Sequence, residues 1–136
     1  MKFLTSKTYP DRGLSIVYVK HKRNSYRGEA KLHPDDIWSE FTGCRFAEER
    51  AEIKALKNEY KQKKHDCDEC KKFVAAVQQY AKFDPKDPSA KAMFRQLNCR
   101  IKEVNRLVDE INKKEFNLHV AIRQQDRFNQ KVAKTD

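Results

Sequence analysis

In the C-terminal half of the chain, apolar residues recur at alternating steps of three and four. They are Phe94, Leu97, Ile101, Val104, Val108 and Ile111, then Leu118 and Ile122. This spacing predicts one stripe along a helix over residues 89–127, interrupted only at Glu115. At about 1.5 Å per residue such a helix runs on the order of 60 Å. A stripe that narrow and long needs a partner of similar length. A second stripe offers one: Phe46, Ile53, Leu56 and Tyr60, continued in register by Cys67, Cys70, Val74 and Val77. Ala47, Ala51 and Ala55 lie beside it and allow close approach. Between the stripes, Asp84-Pro85-Lys86-Asp87-Pro88 stops one helix and restarts the next, because each Asp-Pro pair provides an N-cap and a first-turn proline. Two helices of matching length joined by a short turn are expected to form an antiparallel helical hairpin.

The N-terminal third has a different period. Leu14 to Val19 is rich in β-branched and aromatic residues and reads as a strand. His21 to Ser25 reads as a turn, Tyr26 to Leu32 as the returning strand, and Met1 to Thr5 as a short edge strand before the break at Pro10-Asp11-Arg12-Gly13. The predicted fold class is therefore mainly α: a long antiparallel helical hairpin with a small N-terminal antiparallel β-ribbon. It forms a single domain over 1–136, with the ribbon over 1–33, a helical arm over 34–83, a turn over 84–88, the long helix over 89–127 and a frayed polar tail over 128–136. Within the arm, Thr42-Gly43 reads as an interruption, with a new helix starting near Cys44. The expected core is Ile53, Leu56, Val74, Val77, Leu97, Ile101, Val104 and Val108.

Charge adds a candidate surface. Of the 136 residues 37% are charged, and the formal net charge is +10. The excess sits at the ends: residues 1–34 hold eight Lys/Arg against Asp11 and Glu29, residues 35–83 balance, and residues 84–136 hold twelve basic against eight acidic residues. Lys20, Lys22, Arg23 and Arg27 crowd the ribbon's turn beside Tyr18 and Tyr26, and are the candidate partner-binding residues. A basic ribbon with aromatics can enter a nucleic-acid groove; lysines also protect a sheet edge from unwanted pairing. No signal peptide and no apolar run near the roughly 18 residues of a membrane span is visible. A cytoplasmic location with reduced cysteines is expected.

His65-Asp66-Cys67-Asp68-Glu69-Cys70 is the one cluster with metal-ligand character. Cys-x-x-Cys places two thiols on one helical face, and His65 is a nearby third donor. Counting outward from the turn, Cys99 falls within a turn of Cys70 on the facing helix. Cys67, Cys70, Cys99 and His65 are thus the candidate ligands of a structural zinc. The alternative is that the thiols on the stripe are small core residues.

His33-Pro34-Asp35-Asp36 follows the second strand directly and reads as a helix start, with proline in the first turn and aspartates at the positive end. The same four residues resemble the motif of zinc-dependent LmbE-like deacetylases. That resemblance would assign His33 and Asp36 to a metal and Asp35 to proton transfer. Those enzymes also need an α/β sheet and a further histidine pair, which this pattern lacks, so no enzyme is expected.

The stretch from Ala30 to Ala51 resembles small early-region proteins of phages of Gram-positive bacteria. It contains Ala30-Lys31-Leu32-His33-Pro34-Asp35-Asp36 and then Gly43-x-x-x-Ala47-x-x-Arg50-Ala51. Such proteins include anti-CRISPR inhibitors of type II effectors, some of which bind zinc. The resemblance implies a host protein as partner, an RNA-guided nuclease whose target loading is blocked in the bacterial cytoplasm. A chain of +10 would dock through helix faces with Lys/Arg at the rim. The alternative expectation is a zinc-stapled nucleic-acid-binding protein that uses the basic ribbon.

Overall fold

A computed structural model describes residues 1–32 and 39–135, with side chains up to Lys131. The chain is mainly helical with an N-terminal three-stranded antiparallel sheet. The strands are β1 (Lys2–Tyr9), β2 (Leu14–His21) and β3 (Asn24–Lys31), followed by helices α1 (Glu40–Gln78) and α2 (Pro88–Thr135). The His33-Pro34-Asp35-Asp36 motif, with its expected helix start, lies outside the described residues.

The ribbon gains a full third strand. β1 runs to Tyr9 rather than stopping near Thr5, and pairs with β2 along its whole length, leaving β2 in the centre. Its pairing slips between Phe3 and Thr5, a bulge at Leu4 that breaks the two-residue period. A short 3-10 turn, Pro10–Arg12, closes the β1–β2 connection. Gly13 follows at φ 59° and donates its N–H to the Pro10 carbonyl at 3.1 Å. Left-handed backbone of this kind favours glycine.

α1 begins with Ser39 as its cap: the hydroxyl accepts from the Thr42 N–H at 3.3 Å and the carbonyl from the Gly43 N–H at 2.8 Å. It then runs through Thr42-Gly43 without interruption, correcting the expected break. Gly43 is there for closeness, since a methyl group would overlap the Ser15 hydroxyl and come within 3.2 Å of Ser15 Cβ on β2. α1 ends at Gln78, five residues before the predicted limit. A chain of turn hydrogen bonds carries it to Phe83, where Phe94 meets the Phe83 ring edge-on at 6.1 Å. Asp84 folds the turn by accepting from the Lys86 N–H at 2.9 Å. Asp87 caps α2 by accepting from the Ser89 N–H at 3.0 Å, with Pro88 in the first turn as the Asp-Pro spacing predicts. α2 continues as helix to Thr135, past Arg127, and carries a buried Asn129.

Packing groups the chain into two compact units. The first holds Met1–Lys57 with Ile111–Asp136. Its core joins Val17, Val19 and Ala30 of the sheet to Phe46, Ala47 and Ala51 of α1, with Leu118, Ala121 and Ile122 of α2 packed against them. Glu115, the residue that interrupts the α2 stripe, pairs with Lys57 at 2.6 Å, and Lys114 pairs with Glu52 at 3.0 Å. The second unit is Asn58–Glu110. Its buried apolar residues include Cys67, Val74, Ala90 and Leu107, the last with no exposure at all. Of the expected core, Ile53, Leu56 and Val74 are buried, whereas Val77, Leu97, Ile101, Val104 and Val108 are half-buried. Leu107 takes the central place because it lies on the same side as Val104 and Ile111 at 3.6 residues per turn.

Candidate nucleic-acid interface

Side chains alternate across a sheet, so cross-strand partners share a face. The register therefore sorts the three strands into two surfaces. One carries Val17, Val19 and Ala30 and is covered by α1 and α2. The other carries four rows read across β1, β2 and β3. They are Lys2–Lys20–Ser25, Thr5–Tyr18–Arg27, Lys7–Ile16–Glu29 and Tyr9–Leu14–Lys31.

This second face is basic, and its lysines are exposed. Lys2, Lys7, Lys20, Arg27 and Lys31 are all exposed, and Glu29, the sole acid among the twelve positions, forms an ion pair with Arg27. The central strand gives it an apolar floor of Leu14, Ile16 and Tyr18, half-buried or buried. At one corner Tyr9 is 40% exposed, and the Arg12 guanidinium stands 6.0 Å from its ring centre. At the opposite end Lys22 and Arg23, both exposed, form the two-residue turn between the paired His21 and Asn24.

The four basic residues singled out from sequence thus fall together, with Lys20 and Arg27 on the basic face and Lys22 and Arg23 at its rim. Lys2, Lys7, Lys31 and Tyr9 escaped notice. Lys7 and Tyr9 do alternate, but the bulge at Leu4 puts Lys2 out of phase with them.

The outer edge of β3 is occupied from within. Arg50 donates to the Glu29 carbonyl at 2.7 Å and Lys54 to the Arg27 carbonyl at 2.9 Å. The pattern Gly43, Ala47, Arg50, Ala51 is accordingly a joint between α1 and the sheet. Gly43 meets Ser15, Ala47 and Ala51 meet Gly28, and Arg50 covers an edge carbonyl.

The candidate zinc ligands are differently placed. Cys67 is buried at 3% exposure, Cys70 is half-buried, and Cys99 and His65 are exposed. Among the described residues no three His, Cys, Asp or Glu side chains gather closely enough to hold a metal ion. Cys99 lines one surface cleft with Lys63 and Asp66 and another with Phe73 and Met93. Among the described residues no helix is long and apolar enough to cross a membrane. No protein-family model matches the chain, and no curated protein or solved structure matches it significantly.

Proposed function

We propose that the protein binds nucleic acid through the basic face of its sheet and performs no catalytic step of its own. One observation carries the reading: four exposed lysines, Lys2, Lys7, Lys20 and Lys31, surround an apolar, tyrosine-bearing floor on a face whose single acid, Glu29, is paired with Arg27. Phosphates meet the flanks, and each contact releases counterions, so affinity falls steeply as salt rises. The test is fluorescence anisotropy of labelled oligonucleotides across a salt series. Binding is expected to weaken linearly on logarithmic axes. A Lys7→Glu/Lys31→Glu variant should lose binding, while Lys91→Glu, on exposed α2 surface, should lose little. Salt-independent binding, or equal loss in both variants, would overturn the reading.

A second reading is favoured by the Asn58–Glu110 unit, where Phe73 and Tyr80 are 61% and 74% exposed. Exposed aromatic side chains are available to anchor a protein contact. Here the chain acts as a phage-type inhibitor in the bacterial cytoplasm, docking on an RNA-guided nuclease and blocking its target loading. α1 and α2 would serve as an antiparallel helical hairpin, a pairing supported by Glu52 with Lys114 and Lys57 with Glu115. Cleavage by a type II effector, assayed with and without the protein, decides it: unchanged cleavage at stoichiometric excess removes this reading.

A further inference from the structure

We infer that the basic sheet face takes single-stranded rather than duplex nucleic acid, with bases stacked on Tyr9 and Tyr18 and phosphates held by the flanking lysines. The inference rests on the nucleic-acid reading above and narrows its substrate.

The layout of the face decides between the two forms. Leu14, Ile16 and Tyr18 follow one another along the middle strand. Lys2 and Lys7 stand on β1 to one side, and Arg27 and Lys31 on β3 to the other. An apolar strip between two cationic banks suits a strand whose bases turn inward and whose backbone runs along the edge. A duplex hides its base faces in the stack and offers only phosphates and groove edges. The B-form major groove is about 12 Å wide and admits a helix or a two-stranded ribbon. Three strands about 4.8 Å apart present one strand more than such a ribbon. The apolar strip would then meet no partner in a duplex complex.

The tyrosines are placed for stacking. Tyr9 pairs with Leu14, four residues along β2 from Tyr18. At about 3.4 Å per residue and one strand across, the two Cα positions stand roughly 14 Å apart, a span that a short run of single strand can bridge. Tyr9 also has Arg12 against its ring, which brings a cation to the stacking surface. Aromatic platforms beside a positive groove hold single strands with little sequence preference, because every base has a π-face.

The full-length protein is titrated into labelled oligothymidylate, oligouridylate and a duplex of matching length, with polyglutamate as competitor. Both single strands should bind at least about tenfold more tightly than the duplex. Tyr9→Ala should weaken single-strand binding about tenfold, within the range for loss of one stacked base, and leave duplex binding unchanged; Tyr9→Phe should restore it. Circular dichroism confirms that each variant is folded, and the exposed Tyr9 makes unfolding an unsuitable explanation for any loss. Equal affinity for duplex and single strand, with Tyr9→Ala silent, would overturn this inference and leave the broader nucleic-acid reading standing. Failure of all three nucleic acids to bind would overturn both. Polyglutamate displacing the oligonucleotides at equal charge concentration would show that the face takes acidic polypeptide, and would also overturn both.

Discussion

Gly28 of β3 lies directly against the backbone of α1 at Ala47, leaving no room for a methyl group. A Cβ there would overlap the Ala47 carbonyl oxygen and approach the Ala51 nitrogen to 2.5 Å. Backbone cannot swing aside as a flexible side chain can, so Gly28→Ala must push the helix off the sheet. The core of Val17, Val19, Phe46 and Ala51 then loosens with it. Overpacking of this kind costs about 1–3 kcal/mol, and the upper end is expected here. Gly43→Ala should be much milder. It meets the Ser15 side chain, and alanine recovers about 1 kcal/mol of helix propensity. Urea denaturation of the two variants checks the contrast; equal midpoints would show that the sheet and α1 are not in backbone contact.

The β2–β3 turn carries strain that glycine would remove. Lys22 sits at φ 59°, in the left-handed region, which disfavours a side chain by about 1–2 kcal/mol. Glycine's greater freedom in the unfolded chain offsets roughly half of that. Lys22→Gly should therefore stabilise the fold by about 0.5 kcal/mol, read from the denaturation midpoint, while slightly weakening oligonucleotide binding through the lost charge. Destabilisation would mean that the lysine's contacts outweigh its backbone strain.

Burial first, then the neighbouring Glu52 and Glu49, hold the Glu48 carboxyl above its ordinary value against the opposing pull of Lys114. A raised carboxyl binds its proton more tightly in the folded chain. The burden on the fold is therefore present above the folded pKa and is relieved as pH falls through it. Glu48→Gln should be more stable than the parent at neutral pH. The gain should not exceed about 0.5 kcal/mol, because the site is partly solvated and screened. It should vanish below the ordinary carboxylate range. Thermal melts of both proteins across pH test the sign, and an advantage that grows in acid would refute the assignment.

The stripes on α1 and α2 were legible because a three-and-four repeat survives unchanged from sequence to structure, and Asp87-Pro88 signals a helix start through local chemistry alone. What the pattern concealed were features set by tertiary contact. Gly43 reads as a breaker until Ser15 is known to press against it. Glu115 reads as a fault in the stripe until Lys57 meets it. Leu107 lies outside the repeat of Val104, Val108 and Ile111, yet it is the fully buried residue of that stretch. The basic sheet face was half visible, since Lys20 ends the β-branched run of β2 and Arg27 sits on the returning strand. The bulge at Leu4 concealed that Lys2 shares a face with Lys7 and Tyr9. Gly43, Ala47, Arg50 and Ala51, spaced along α1, acquire packing roles against the sheet.

The cysteines give the last prediction. A thiol reacts or binds metal only where a reagent or ion can reach it, and a buried structural cysteine is inert. Cys67, at 3% exposure, belongs to the buried set with Val74 and Leu107, whereas Cys99 lies open beside two clefts. In the native protein a thiol reagent should modify Cys99 rapidly, Cys70 and Cys44 more slowly, and Cys67 only on unfolding. Cys67→Ser should destabilise more than Cys67→Ala, because it buries a hydroxyl where a soft apolar group sat. The competing zinc clamp of Cys67, Cys70, Cys99 and His65 makes opposite demands: shared protection of Cys67 and Cys99, about one zinc per chain in protein purified without added metal, and a thermal midpoint lowered by chelator. A Cys67→Ala/Cys70→Ala variant would then lose the metal. Burial of Cys67 apart from an exposed Cys99 favours the core-thiol assignment, so the expected results are a midpoint indifferent to chelator and a Cys99 that reacts first. Fast labelling of Cys67, or protection of Cys99 that chelator removes, would replace it with the clamp.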